Sequence, residues 1–343
     1  MEMQLLKRIR HGLQETRDSL SAFLNTTPAD NKAIHLGPSP EAAVRDRLEV
    51  IDRAISQADA RTLGKCTICR DEVEPVLLEV DYTARVCIEH FSAQERRQLE
   101  NELNLARDIQ KMLLPQELPR IPNLEVAAYS RPSQIVGGDY FDFVRFGNGH
   151  QGLMIADVAG HGVSASMLVA SLQAFLRTIT PTSNSPAEVV RQIHKLLIHN
   201  IRYKTFASFF IGAFDPANGT LTFCNAGHPP QLLFRNGNRK EDDLDLLMPT
   251  GAAVGLVEEA DFGEKTIELD SGDTLVLYTD GVTEAENGRH QRFGREALAE
   301  LIRGVDSNTA GELVSRIKCD LQDFSEGRPL PDDVTIVVSR VTS

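Results

Sequence analysis

Four stretches of the sequence place an aspartate at the end of a run that is typical of a β-strand. Asp139 follows two glycines in IVGGDYFDF, Asp157 follows GLMIA, Asp280 follows TLVLYT, and Asp332 and Asp333 precede VTIVVS. A single aspartate at a strand end is most often a turn residue. Four placed in the same way indicate that the carboxylates converge, provided that the strands lie side by side.

Converging carboxylates repel one another, so either some of them stay protonated or a cation neutralises their charge. Oxygen ligands of this kind prefer Mg²⁺ or Mn²⁺ to Zn²⁺. The chain of 343 residues carries a formal net charge of −13, which suits captured cations or a basic partner surface. The same charge argues against binding along a nucleic-acid backbone, so we expect no direct nucleic-acid partner.

A second set of metal-ligating side chains lies nearer the N-terminus. Cys66 and Cys69 form a C-x2-C pair, and Cys87 and His90 form a C-x2-H pair. Two such pairs, separated by a short hairpin, supply nitrogen and sulfur ligands with the spacing of a tetrahedral site, which predicts one structural Zn²⁺. The alternative, three buried thiols and a surface histidine, leaves the paired spacing unexplained.

The residues around these four ligands carry a resemblance. LEVIDRAISQADARTLGKCTICRDEV, followed by ARVCIEH, resembles the helix and zinc finger of the DksA/TraR family. That family usually has a fourth cysteine where this chain has His90. Its members act on RNA polymerase through an acidic tip that has no equivalent here, so the resemblance implies the fold of the finger and not that activity. The alternative function is a transcription-associated scaffold that acts through the finger and is not catalytic.

The apolar pattern divides the chain into four parts: a helical region over 1–60, the finger over 61–91, a linker helix over 92–115 and a larger domain over 116–343. No run approaches the roughly 18 apolar residues of a membrane span, and the N-terminus lacks the apolar centre of a signal peptide. The remaining cysteines stand alone, which favours a reducing compartment over a disulfide framework. We therefore expect a cytoplasmic protein without membrane contact.

The predicted linker helix carries two apolar stripes. The first stripe consists of Leu99, Leu103, Ala106 and Leu113 and is interrupted by Gln110; the second stripe consists of Leu105, Ile109 and Met112. A helix with two apolar stripes and charged flanks packs against a neighbour. We expect a linker that forms a dimer or transmits a signal, with a homodimer through this helix; the alternative is packing on its own domain.

From Glu125 onward, short β-rich runs alternate with helices. The predicted strands lie in LEVAAYSRP, YFDFVRF, GLMIADV, ASFFIGAF, LTFCNAG, QLLFRN, FGEKTIEL, DTLVLYTDG and DVTIVVSRV. The predicted helices span about 162–179, 186–200, 294–303 and 309–324. Antiparallel hairpins with packed helices predict a layered α+β domain.

Five ordered motifs in this domain carry a second resemblance. GGDYFDF, IADVAGHGVSASMLVA, NAGHPP, LYTDGVTEA and PDDVT together resemble the SpoIIE/RsbU branch of the PPM-type, or protein phosphatase 2C-like, metal-dependent phosphatases. The resemblance covers about 110–341. It implies an αββα sandwich, in which helices flank a central β-sandwich, and the removal of phosphate from phosphoserine or phosphothreonine in a protein. In bacterial partner-switching pathways the implied substrate resembles a small anti-sigma-factor antagonist.

The resemblance also implies roles for individual residues. The implied ligands of two Mn²⁺ or Mg²⁺ ions are Asp139, Asp157, Asp280, Asp332 and the carbonyl of Val158. Asp157 is the implied bridge, and Asp333 could stand in for Asp332 because the pair leaves the register open by one. Two such ions share a water, lower its pKa and stabilise charge on the phosphoryl oxygens during in-line attack.

Several residues beside the ligands have less definite roles. Gly137 and Gly138 are expected where the backbone passes close to the centre and a Cβ would intrude, and Gly281 is expected to lie beside the ligands or the substrate. His228, in NAGHPP, either protonates the leaving alkoxide or makes a structural hydrogen bond in a turn that Asn225 anchors. His161 lies at a helix start, where it either contributes to the pocket or caps the helix. A degenerate, inactive version of the fold is disfavoured because every acidic motif is intact.

Overall fold

The structure is a computed structural model with two compact units, Met1–Glu102 and Leu103–Ser343. We call them the N-terminal and C-terminal units and describe each by itself. The described residues are 10, 13–14, 17, 21, 24–25, 41–60, 62–74, 77–78, 85–159, 162–200, 206–235, 244–257, 259–305, 309–328 and 330–342. The predicted division into four parts stays a prediction.

The N-terminal unit is built around α1 (Glu41–Asp59). Its buried face carries Ile51, Ala54 and Ala58, which pack with Leu13 and Leu63. The isolated positions described between 10 and 25 are helical, and the rest of the helix predicted there lies outside the described residues.

The linker helix, α2 (Ala93–Leu113), begins in the N-terminal unit and ends in the C-terminal unit. Its start has a capping box. The Ser92 amide donates to a Glu95 carboxylate oxygen at 2.8 Å, and the Glu95 amide donates to Ser92 Oγ at 3.2 Å. Two of the unpaired amides at the helix N-terminus are satisfied in this way.

In the described part of the C-terminal unit, ten strands form two antiparallel sheets. The strands are β1 (Leu124–Arg131), β2 (Asp139–Arg145), β3 (Gln151–Val158), β4 (Ala207–Asp215), β5 (Thr220–Ala226), β6 (Gln231–Phe234), β7 (Leu244–Leu247), β8 (Lys265–Glu268), β9 (Thr274–Tyr278) and β10 (Val334–Val341). One sheet has the order β1-β10-β9-β6-β7, and the other has the order β2-β3-β4-β5-β8.

Helices cover both outer faces of this sandwich. The helices are α3 (Gly162–Ile179), α4 (Pro186–Asn200), the four-residue α5 (Asp280–Thr283), α6 (Gly294–Gly304) and α7 (Ala310–Phe324). The apolar faces of α3 and α4 share one buried cluster with the outer side of the β2–β5 strands. Those of α6 and α7 share another with β6, β9 and β10. The predicted αββα sandwich is confirmed.

Alternation along the strands decides which residues face the space between the sheets. In β3, Leu153 and Ile155 belong to the inter-sheet cluster, whereas Met154 and Ala156 face the helices. Because side chains alternate with a period of two, Asp157 continues the inter-sheet face. The same count from Phe141 in β2 places Asp139 on that face.

Several elements within the described residues were not predicted from the sequence pattern. β7 is a four-residue edge strand that pairs with β6, and so short an edge strand has too few alternating residues to stand out. The short helix α5 follows β9 directly. Leu77 and Leu78 are helical within the stretch where a hairpin was expected.

Among the described helices, none combines the length and apolar character that a membrane crossing requires.

Candidate functional site

Two of the predicted acids meet across neighbouring strands. Asp139, the first residue of β2, lies directly opposite Asp157 in β3. The hydroxyl of Thr279, from the other sheet, donates to Asp139 Oδ2 at 2.8 Å. The amide of Thr335 donates in turn to Thr279 Oγ1 at 3.0 Å. The two sheets are therefore bonded together at the edge where these acids lie.

The remaining acids come from the ends of β9 and β10, which are adjacent in the other sheet. Asp280 is the first residue of α5, and Asp332 lies two residues before β10. The pKa of Asp157 is raised to about 7. Burial is the larger cause, and repulsion from the Asp280, Asp332 and Asp333 carboxylates adds to it. The convergence predicted from sequence is thus found.

The pKa values of Asp139 and Asp280 are raised by the same two causes, burial and nearby acids. Burial raises the pKa of Asp139 well above its usual range, and the Asp157 and Asp333 carboxylates raise it further. Burial also raises the pKa of Asp280, with added repulsion from Asp332 and Glu284. Each shift is the expected response of a carboxylate that is wholly or partly removed from water and whose neighbours are also acids.

This arrangement fits divalent cations. A cation supplies the positive charge that these acids lack, and carboxylate oxygens are the ligands that Mg²⁺ and Mn²⁺ prefer. Within the described residues, no three of these aspartates have oxygens that all lie within 4.8 Å of one another.

The two consecutive aspartates differ in their surroundings. Asp333 is buried and accepts three hydrogen bonds, from the amide of Ser133 at 2.7 Å, from its hydroxyl at 3.0 Å and from the amide of Gly138 at 2.6 Å. Asp332 is half-buried and accepts from the Asp333 amide at 2.8 Å. The Asp333 carboxylate is thus occupied with fastening the segment that leads into β2.

Gly137 and Gly281 lie close to Asp333, whereas for Gly137 a close approach to the metal centre was expected. A Cβ at Gly137 would overlap the Asp333 carboxylate, and a Cβ at Gly281 would overlap the Asp333 backbone carbonyl. The close approach that requires glycine is therefore to Asp333. The amide of Gly138 donates to that carboxylate, and its carbonyl accepts from the Val158 amide at 3.2 Å.

His228 is enclosed in the protein. Its Nδ1 lies 2.6 Å from Ser208 Oγ and its Nε2 lies 3.1 Å from the Tyr278 carbonyl. Burial lowers its pKa to about 3, although the bond to Tyr278 acts in the opposite direction. A neutral ring that donates from Nε2 and accepts at Nδ1 satisfies both contacts. These surroundings favour the structural alternative for His228.

Asn225 holds the turn that carries this histidine. Its Oδ1 accepts from the His228 amide at 2.9 Å, and its Nδ2 donates to the Leu247 carbonyl at 3.0 Å. His161 lies outside the described residues. Asp142 faces away from the other acids, towards α3, where Arg177 donates to both of its carboxylate oxygens at 2.9 Å.

The second candidate site is the cysteine and histidine group of the N-terminal unit. The donor atoms of Cys66, Cys69, Cys87 and His90 all lie within 4.8 Å of one another. Cys69 Sγ and Cys87 Sγ are 3.3 Å apart, which is too far for a disulfide. Burial of Cys66 opposes ionisation, but backbone amides, first that of Cys69, lower its pKa to about 6. A thiolate among soft donors fits a Zn²⁺ ion.

Thr279 and Ser133 were missed by the sequence reasoning, although both support the acids. One signal was available for Thr279. It follows Leu275 and Leu277 at the alternating spacing of β9, so it is a polar residue on an apolar inward face. Ser133 offered no such signal, because it lies in a loop whose partner is 200 residues away.

Comparisons with known proteins agree with the motifs. The sequence matches the family described as Stage II sporulation protein E (SpoIIE) over residues 147–342. Phosphoserine phosphatase RsbU of Bacillus subtilis (strain 168) is 27% identical over 280 residues, which cover 78% of this chain and 80% of RsbU. Protein IcfG of Synechocystis sp. (strain ATCC 27184 / PCC 6803 / Kazusa) is 27% identical over 279 residues, which cover 73% of this chain and 43% of IcfG.

A solved structure agrees with the fold. The SiaA-PP2C domain of Pseudomonas aeruginosa matches with a TM-score of 0.63 at 21% identity, over 73% of this chain and 99% of that domain. The predicted PP2C-like fold is confirmed. Since the family match also extends over more than half of the sequence, from the turn before β3 to the end of β10, this chain belongs to the SpoIIE family.

Proposed function

We propose that this chain is a metal-dependent phosphatase that hydrolyses phosphoserine or phosphothreonine in a protein. The observation that carries the proposal is the group of inward-facing acids at one edge of the sandwich, with the pKa of Asp157 raised to about 7 and that of Asp139 raised well above its usual range. Such a group suits divalent cations, and RsbU, of which this chain covers 80%, is named a phosphoserine phosphatase.

The proposed ligands are Asp139, Asp157, Asp280 and Asp332, with the backbone carbonyl of Val158 as a further oxygen donor. We favour Asp332 over Asp333 because the Asp333 carboxylate already accepts three hydrogen bonds. Asp157 has acids from both sheets beside it, which suits a bridging position between two ions. Two Mn²⁺ or Mg²⁺ ions are the proposed cofactors.

In the proposed mechanism, the bound ions would supply an activated water and stabilise charge on the phosphoryl oxygens. Other residues of the protein position the carboxylates that would hold the ions. The Thr279 hydroxyl donates to one oxygen of Asp139 and so orients the other, while Asp333 fixes the backbone just before Asp139. His228, with both ring nitrogens engaged inside the protein, serves the turn and transfers no proton.

The proposed substrate is a small phosphorylated anti-sigma-factor antagonist of a partner-switching pathway. This part of the proposal rests on membership of the SpoIIE family and on the similarity to RsbU. The chain spans less than half of IcfG, and the name of RsbU gives the phosphorylated residue but no protein substrate. The cytoplasmic location stays a prediction from the sequence.

We also propose that the N-terminal site holds one structural Zn²⁺ and that α2 forms a homodimer. The second stripe of α2 supports the dimer, because Leu105, Ile109 and Met112 are 60%, 46% and 66% exposed. In the first stripe, Leu99 packs on the cluster that contains Cys66 and Cys87, so that residue is already covered. We therefore place the proposed dimer contact on the second stripe.

Replacing a proposed ligand should abolish activity without unfolding the protein. We expect Asp157→Asn and Asp280→Asn to lower Mn²⁺-dependent hydrolysis of a small aryl phosphate by about 100-fold or more, because each removes an anionic oxygen ligand. Since burial and nearby acids raise the pKa of Asp157, the charged group opposes folding at neutral pH, so Asp157→Asn should not lower the melting temperature of the metal-free protein.

The control for these variants is Asp245→Asn. Asp245 is an exposed aspartate of β7 that pairs with Arg235, and its replacement should leave hydrolysis unchanged. Asp332→Asn should behave like Asp157→Asn, whereas Asp333→Asn should lower the melting temperature because an amide cannot accept all three hydrogen bonds. Wild-type activity in Asp157→Asn or Asp280→Asn would exclude the proposed ligand set.

Elemental analysis of purified protein should find about one zinc per chain. We expect Cys66→Ser and Cys69→Ser to lose it, because a hydroxyl is a poor ligand for Zn²⁺ at neutral pH. The matched control is Cys319→Ser, which changes an exposed cysteine outside the cluster and should retain the metal. Zinc-free wild-type protein would remove this part of the proposal.

An acidic side chain in the second stripe should weaken the dimer. We expect Ile109→Asp and Met112→Asp each to raise the dissociation constant, measured by analytical ultracentrifugation, by about tenfold or more, since both would bury a charge. Asn104→Asp adds the same charge at an exposed position outside the stripe and should have little effect. A wild-type chain that stays monomeric at high concentration would contradict the dimer.

A further inference from the structure

Gln110 contacts the segment that leads into the acidic site. Its Nε2 donates to the Gly137 carbonyl at 2.6 Å, and its Oε1 accepts from the Gly137 amide at 3.0 Å. One side-chain amide therefore pairs with both backbone groups of a single residue. The side-chain amide of asparagine or glutamine offers a donor and an acceptor on one planar group that carries no charge, and glutamine has the longer reach.

This contact explains a break in the sequence pattern. Gln110 interrupts the first apolar stripe of α2, at a position where an apolar residue would continue it. It is half-buried, and Gly137 is buried. A polar side chain is stable there because its amide is paired.

The segment that Gln110 holds is fastened on its other sides to the proposed metal site. The Gly138 amide donates to Asp333 Oδ2 at 2.6 Å, and the Gly138 carbonyl accepts from the Val158 amide at 3.2 Å. Asp139 is the next residue. Since a Cβ at Gly137 would overlap the Asp333 carboxylate, the segment has no room to move towards Asp333.

We propose that Gln110 is a positioning residue of the metal centre: its amide holds the Gly137 peptide in the orientation that sets Asp139 and the Val158 carbonyl at cation-binding positions. The inference rests on the proposed function, because it concerns the affinity of that centre for divalent ions. Without this amide, the Gly137–Gly138 backbone loses two hydrogen bonds. An ion that binds must then also order this backbone, which weakens its binding.

Other contacts keep α2 in place when Gln110 is changed. Gln173 of α3 donates to the carbonyl of Leu113 at 2.8 Å, and Leu114 packs on the buried clusters of the sandwich. These contacts do not involve the Gly137 segment. They make it possible to separate a loss of helix docking from a loss of segment positioning.

The test measures Mn²⁺ binding to the full chain by titration calorimetry. Gln110→Met keeps the side-chain size and removes both hydrogen bonds. We expect its Mn²⁺ dissociation constant to rise by about tenfold. The Mn²⁺ concentration for half-maximal aryl phosphate hydrolysis should rise in parallel, while kcat at saturating Mn²⁺ stays within about threefold of wild type.

The matched control is Gln173→Met, which makes the same substitution and removes an amide contact to α2 but none to Gly137. Its Mn²⁺ dissociation constant should stay within about twofold of wild type. Hydrogen exchange of the metal-free proteins gives a second measurement, because the Gly137 amide should exchange faster in Gln110→Met and not in Gln173→Met.

Unchanged Mn²⁺ affinity in Gln110→Met, or an equal loss in Gln173→Met, would overturn the inference. So would unchanged exchange of the Gly137 amide in Gln110→Met. Failure of the proposed function looks different, because the wild-type chain would then bind no Mn²⁺, and the inference would fall with it.

Discussion

Repulsion among buried and half-buried carboxylates is the constraint on which the rest of this structure depends. Asp139 and Asp157 lie side by side on adjacent strands of one sheet and point into the space between the sheets. Burial together with neighbouring acids raises the pKa of both. A group with a raised pKa contributes stability below its unfolded pKa of about 4 and loses it as the pH rises through its folded pKa, which for Asp157 is about 7. At neutral pH the metal-free cluster therefore opposes folding.

The surrounding fold holds the acids in place against this repulsion. The inter-sheet core fills the space between the sheets with large side chains, including Phe141, Phe210 and Phe223. Hydrogen bonds then fix the backbone at the edge, from Thr279 to Asp139 and from the Ser133–Gly138 segment to Asp333. The consecutive aspartates divide the work, since Asp333 is used for anchoring and Asp332 remains half-buried beside the cluster.

The sequence predicted much of this arrangement because its signals were local. Apolar runs with a period of two marked most of the strands, and the acids at their ends were visible without knowledge of the pairing. The division of roles between Asp332 and Asp333 could not be predicted, because it depends on Ser133, which is 200 residues away. The same holds for His228, whose two ring contacts come from β4 and β9.

The α2 helix gives a similar contrast. Periodicity identified both of its apolar stripes, but which stripe is exposed depends on tertiary packing that a helical pattern does not contain. Gln110 was visible only as an interruption. The role of Gln110 could be recognised only once the fold placed Gly137 beside it, and no local sequence pattern predicts that contact.

Calorimetric titration of the full chain with Mn²⁺ at about pH 6.5, repeated in buffers of different ionisation enthalpy, tests the central claim most directly. At that pH much of Asp157 is protonated in the metal-free protein, and the raised pKa of Asp139 favours a bound proton there as well. Binding should therefore release protons and should tighten as the pH rises. Failure to bind Mn²⁺, or binding with no proton release and no dependence on pH, would contradict the account.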